Sequence, residues 1–276
     1  MGAPEYMKFT YLRKLTTENF LKEKIKNNYI IFIILFSLIS AVYHGLYIDQ
    51  RGLSAGLIIS GEVNYPDQNN ILYLWYNNSW SLYHHFISFL IKLGIKKIEL
   101  LNIFILFLVT FVNCLGLFFI TKTLTKNYLF SLFVSFVLIV TQFNFGNLDF
   151  PVLIFSEHTN APIGSAVAIL TLGLIGNRNF KIAYLLCLIN IFLHSVIGLW
   201  ILFILIISLF LFANKKEDYQ LKSGRNLILL TSSLIILLIF FINFNFNRIP
   251  IIYEKDIELY KEYLKVWDSH RNTGRP

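Results

Sequence analysis

Residues 29–48 read YIIFIILFSLISAVYHGLYI, and no Asp, Glu, Lys or Arg interrupts them. At 1.5 Å per residue a helix of this length reaches about 30 Å, the thickness of a bilayer's hydrocarbon core. Lys22, Lys24 and Lys26 precede the run, and Asp49 and Arg51 follow it. It is too long for the apolar part of a secretory signal, and no small-x-small cleavage site follows. The stretch therefore reads as an uncleaved membrane anchor, with the basic residues 1–28 on the cytoplasmic side.

The rest of the chain shares this character. Hydrophobic residues make up 56% of the 276 and charged residues only 14%, against about 25% charged in a soluble domain. A net charge of +8 would suit a nucleic-acid partner in a soluble protein. Here the positive residues sit mainly in the N-terminal segment and in short loops, where membrane topology uses them. No basic helix interleaved with stacking aromatics occurs, so nucleic acid is set aside as a partner. Cys114 and Cys187 each lie inside an apolar run without a CxxC partner; they read as small packing residues rather than a disulfide or zinc site.

Working outward from the first run, further apolar stretches cover 98–121, 128–145, 162–175, 182–195, 196–213 and 226–246. As one helix, residues 182–213 would reach about 48 Å, so two short helices turning at residues 194–198 are expected, the alternative being one long tilted helix that would invert the topology after it. The expected fold is all-α: a polytopic membrane protein with seven spans in one domain over 29–246. Most of the 24 Lys and Arg then fall in inner segments, as the positive-inside rule requires. This places the protein in the cell (inner) membrane, N-terminus inside and C-terminus outside. The tail, 247–276, places Ile257, Tyr260, Leu264 and Trp267 at helical spacing and reads as an amphipathic surface helix.

Two outer loops break the pattern. The first, 49–97, is the longest polar interval and contains a short amphipathic helix over 80–93. Trp80, Tyr83, Ile87, Leu90 and Ile91 share one face of it, and its length suits the interface rather than a span. The second, 146–161, carries Asp149, Glu157 and His158 and no Lys or Arg. Asn160 is placed to cap the following helix, with Pro162 in its first turn.

No predicted span holds an acid or a Lys or Arg in its interior, which argues against transport driven by buried carboxylates. The polar chemistry is all on the outer side. Asp49, one residue past the first span, puts a carboxylate at the membrane boundary. There it is placed to take a proton from an acceptor hydroxyl while a lipid phosphate leaves. Phosphate departure needs a cation or donor; Arg51, His84, His85 and His158 are candidates, with Arg271 if the tail folds back. Glu157 and His158 form a second acid/base or metal pair beside a helix N-terminus. Adjacent histidines on a helix diverge by about 100°, so His84 and His85 do not both face one ligand. His194, in FLHSVIGLW (192–200), either faces this outer site or bonds backbone freed at the turn. No metal spacing such as HExxH is present; a divalent cation is the one cofactor left open. The competing reading is a non-catalytic carrier or assembly subunit whose outer loop binds a partner.

The acid directly after the first span, the loop helix WSLYHHFISFLIKLG (80–94), and the short span with a basic turn and hairpin between 162 and 213 together resemble the GT-C class of polytopic glycosyltransferases. The likeness covers roughly residues 29–213. It implies sugar transfer from a polyprenyl-phosphate donor on the outer membrane face, with Asp49 as catalytic base. Gln50 stands where that class carries a second acid.

Overall fold

The computed structural model describes residues 5–45, 52–64, 81–141 and 160–213, with isolated helical positions at 73, 238, 258 and 262. Side chains are described over 25–45, 53–64, 81–141 and 161–208 and at the four isolated positions. These residues form eight helices, and no strand occurs among them: α1 Glu5–Gly45, α2 Gly52–Ser60, α3 Leu82–Lys92, α4 Ile98–Thr125, α5 Tyr128–Val140, α6 Asn160–Gly176, α7 Phe180–Leu193 and α8 Ser195–Ala213. Met1–Phe210 form one compact unit and Leu211–Pro276 a second; α1 to α7, and α8 as far as Phe210, belong to the first. Among the described residues, two helices are long and apolar enough to cross a membrane, Ile25–Gly45 within α1 and the whole of α4. Helices α5 to α8 fall on four further stretches that the sequence marks as apolar spans. The stretch 226–246, the tail helix, and most of loop 146–161 lie outside the described residues.

The basic head and the first apolar run are not separate elements: α1 is one helix of 41 residues. Along it, Ile33, Ser37, Ala41 and Gly45 are buried, every fourth residue, while Ile31, Leu35, Ile39 and Tyr43 are exposed. Three small residues in that stripe let a neighbouring helix approach closely. The neighbour is α4. Tyr29 stacks on Phe118 with ring centroids 4.5 Å apart, and a Cβ at Gly45 would lie 2.7 Å from Ile103 Cγ1. The two contacts run in opposite order along the chains, so α1 and α4 are antiparallel.

Helix α4 also packs on α6, again through small residues. A Cβ at Gly116 would lie 2.6 Å from the Leu170 backbone nitrogen, and one at Gly173 would lie 2.8 Å from the Gly116 carbonyl oxygen. Asn177 Nδ2 donates to the carbonyls of Gly173 at 2.7 Å and Phe119 at 3.2 Å, tying the end of α6 to α4. These contacts advance together along both helices, so α4 and α6 are parallel. The short α5 returns between them in sequence. Lys126, in the left-handed conformation at φ 55, ends α4, and Asn127 Oδ1 accepts from Phe130 N to cap α5. Phe36 of α1 stacks on Phe136 of α5 at 4.2 Å.

Helix α7 runs back along α6, since Gly164 near the start of α6 abuts Asn190 and His194 at the end of α7. The expected break in 182–213 is present at His194, whose backbone is extended (φ −151, ψ 97). Gly198 of α8 presses on Ile191, but α8 makes no extended packing along α7.

One end of this unit therefore gathers Tyr29, Lys122, Lys126, Asn177 and Arg178. The opposite end gathers Gly45, the first turns of α4 and α6, and the end of α7.

Candidate functional site

The first loop holds more structure than the sequence suggests. Inside the interval read as polar lies α2, a nine-residue apolar helix whose Leu53, Ala55 and Gly56 are buried. Polar residues on either side hide it in the sequence, since nine residues are short for a periodic signal. The expected amphipathic helix is α3, with Tyr83, Ile87, Leu90 and Ile91 on its buried face as anticipated. Gly56 allows α2 to lie directly on Ile87, where any Cβ would overlap the isoleucine side chain. Beyond the ends of these helices Lys96 Nζ meets Glu62 Oε2 at 2.8 Å. Gly56 precedes Glu62 and Ile87 precedes Lys96, so α2 and α3 run in the same direction. The ion pair is largely exposed and adds little stability; packing at Gly56 holds the pair.

Beneath α3 is a cavity of about 280 Å³. Leu82, Tyr83 and Phe86 of α3 form one wall; Val109 of α4, Ala166 of α6 and Leu193 of α7 are on the others. Phe86 and Ile189, both exposed, mark its mouth. No polar atom is accessible within it.

The sequence-predicted site residues divide into two groups. Asp49, Arg51, Glu157, His158 and Arg271 lie outside the described residues. The helix ends that lead to the first four, Gly45 and Asn160, are both at the cavity's end of the unit. His84, His85 and His194 are described. His84 is buried on α3, whereas His85 is half-buried, the divergence expected of neighbours on a helix. Burial, and after it the adjacent His85, hold the pKa of His84 down to about 4. Its ring is therefore neutral near pH 7, so it offers a phosphate a hydrogen bond and no charge. Of the two roles the sequence reading allows, cation or donor, burial favours the donor.

His194 sits at the α7–α8 break. Its Nδ1 accepts from Ile197 N at 3.4 Å, so it serves an orphan amide in α8's first turn. Its sequence neighbour Leu193 and His84's neighbour Tyr83 line the same cavity. Among the described residues no three His, Cys, Asp or Glu converge as a metal site. Cys114 and Cys187 are both buried and unbridged.

Sequence reasoning missed three polar groups here. Ser81 Oγ, Tyr83 Oη and both amide atoms of Asn190 are buried without a hydrogen-bond partner. Asn190 leaves a trace in the sequence, a lone amide in LLCLINIFL (185–193). Ser81 and Tyr83 look like ordinary interface residues until burial is known. No family model matches the chain, and no curated protein or solved structure matches it either.

Proposed function

We propose that this is a multi-pass membrane protein acting on a lipid-linked substrate, and that it is a glycosyltransferase-like enzyme using a polyprenyl-phosphate sugar on the outer membrane face. The observation that carries this reading is the wholly apolar cavity at the end of the unit opposite the basic turns. A cavity of about 150 Å³ accepts benzene; about 280 Å³ accommodates on the order of ten carbons of a lipid chain.

The surface supports the membrane part. Only 17% of the apolar window of α1 is buried, and large apolar side chains such as Ile39, Phe133 and Leu185 face outward. Polar residues point inward instead: Asn102, Thr110, Asn113, Ser131, Ser135 and Thr171 are buried. Asn113, Ser131, Ser135 and Thr171 bond backbone carbonyls of their own helix or its cap, as polar groups do where no water is at hand. Lys122, Lys126 and Arg178 gather at the end where the basic N-terminal half of α1 enters, and this reading takes that end as cytoplasmic, with Lys92, Lys96 and Lys97 at the other end beside α3.

In this reading the donor's chain occupies the cavity and its phosphate lies at the outer boundary. Asp49 takes the proton of the acceptor hydroxyl as that oxygen attacks the anomeric carbon. The bond from that carbon to the phosphate oxygen breaks, and the lipid phosphate leaves with the electron pair. Asp49→Asn should lower transfer from a lipid-linked sugar by about 10²–10⁴-fold in isolated membranes, with protein level unchanged. Unchanged transfer would remove the catalytic assignment and leave the carrier reading.

A further inference from the structure

We propose that the first turn of α3 and the cavity beside it form one binding site for a phosphate-headed lipid, the head on the Ser81 hydroxyl and the amides of Leu82 and Tyr83, the chain between α3, α4 and α6. This deepens the lipid-substrate reading given above by naming the residues that would hold head and chain.

The first amides of a helix have no acceptor within it and carry the positive end of its dipole, a ready place for phosphate. In α3, with 11 residues, Ser81 is the N-cap, yet its side chain makes no capping bond. Only 5% of Ser81 is exposed, and its hydroxyl has no partner of any kind. A serine at this position ordinarily bonds the second or third amide of the turn. A buried hydroxyl that makes no bond, at a cap position where it leaves the first-turn amides uncapped by its side chain, is costly unless a ligand completes it. Tyr83, 4% exposed, adds a second unpartnered hydroxyl on a residue whose ring lines the cavity. Because Leu82 and Tyr83 belong to both the first turn and the cavity wall, an anionic head and an apolar tail meet at one place. No described Lys or Arg is needed, which fits a membrane-boundary site where helix amides supply the field.

Farnesyl phosphate is a suitable probe, titrated against the purified full chain in detergent and followed by tryptophan fluorescence. Farnesol, inorganic phosphate and dioleoyl phosphatidate serve as comparisons. Farnesyl phosphate should bind at least about tenfold more tightly than farnesol, the worth of one or two hydrogen bonds to a charged group. Inorganic phosphate alone should not saturate the site. Ser81→Ala should weaken farnesyl phosphate by about three- to tenfold and leave farnesol unchanged, while Ser81→Thr, which keeps the hydroxyl, restores it. Val112→Phe, which fills the cavity, should weaken both. Stronger binding of phosphatidate assigns the head to a bilayer phospholipid, and stronger binding of farnesyl phosphate to a lipid carrier; either supports the site. Equal affinity for farnesol and farnesyl phosphate, untouched by Ser81→Ala, overturns it. Binding does not involve Asp49, so a protein that binds farnesyl phosphate as stated but transfers sugar equally well as Asp49→Asn keeps this site and loses the catalytic reading.

Discussion

His84 shows how a residue type conveys less than its surroundings. Beside His85 it reads as one candidate to supply a phosphate with a cation or a donor, and burial in the folded chain favours the neutral donor. A histidine whose folded pKa is about 4, against an ordinary 6.5, binds protons more readily when the chain unfolds. Its neutral form is therefore a source of stability that is complete above about pH 6.5 and is lost as pH falls toward 4. Thermal unfolding in detergent should show the wild-type midpoint falling across that window. His84→Asn should flatten the slope there. A variant as steep as the wild type would show that another group governs the acid limb. The helical periodicity already separates the two rings, since position 84 borders the apolar face of Trp80, Tyr83, Ile87 and Ile91 and position 85 lies opposite it.

At the scale of helices, glycine decides how close they come. A methyl group at Gly116 would meet the backbone of Leu170 and Ile169, and backbone cannot step aside as a flexible side chain does. Overpacking of this kind costs about 1–3 kcal/mol. Gly116→Ala should lower the unfolding midpoint, while Leu124→Ala, at an exposed position of the same helix, should leave it nearly unchanged. Equal effects would mean that α4 and α6 are not in close contact. The helices themselves were legible from their apolar runs: α4 begins at the expected residue 98, α5 at 128, and the break at His194 is where Gly198 and the excess length place it. Less legible was what joins them. Helix α2 is too short for its periodicity to register, and its packing depends on a single glycine against Ile87. The continuity of α1 through its basic head was also hidden, because a change in polarity does not by itself end a helix.

Across the described part of the first unit, an aliphatic and aromatic core also encloses polar side chains such as Asn102, Thr110, Asn113 and Thr171, while many large apolar side chains face outward. The site is less legible than the fold. The sequence offers candidate residues for chemistry, whereas the cavity needs two helix pairs, α3 with α4 and α6 with α7, to come together from distant parts of the chain. Cys114 and Cys187 are buried, so a cysteine introduced at a helix end reports on its own position. The most direct test of an outward-facing lipid site is labelling with a membrane-impermeant maleimide in intact cells, using Lys96→Cys beside α3 and Lys126→Cys in the α4–α5 turn. Position 96 should be labelled at once and position 126 only after the membrane is opened. Labelling of 126 in intact cells, or of both positions alike, would contradict that placement.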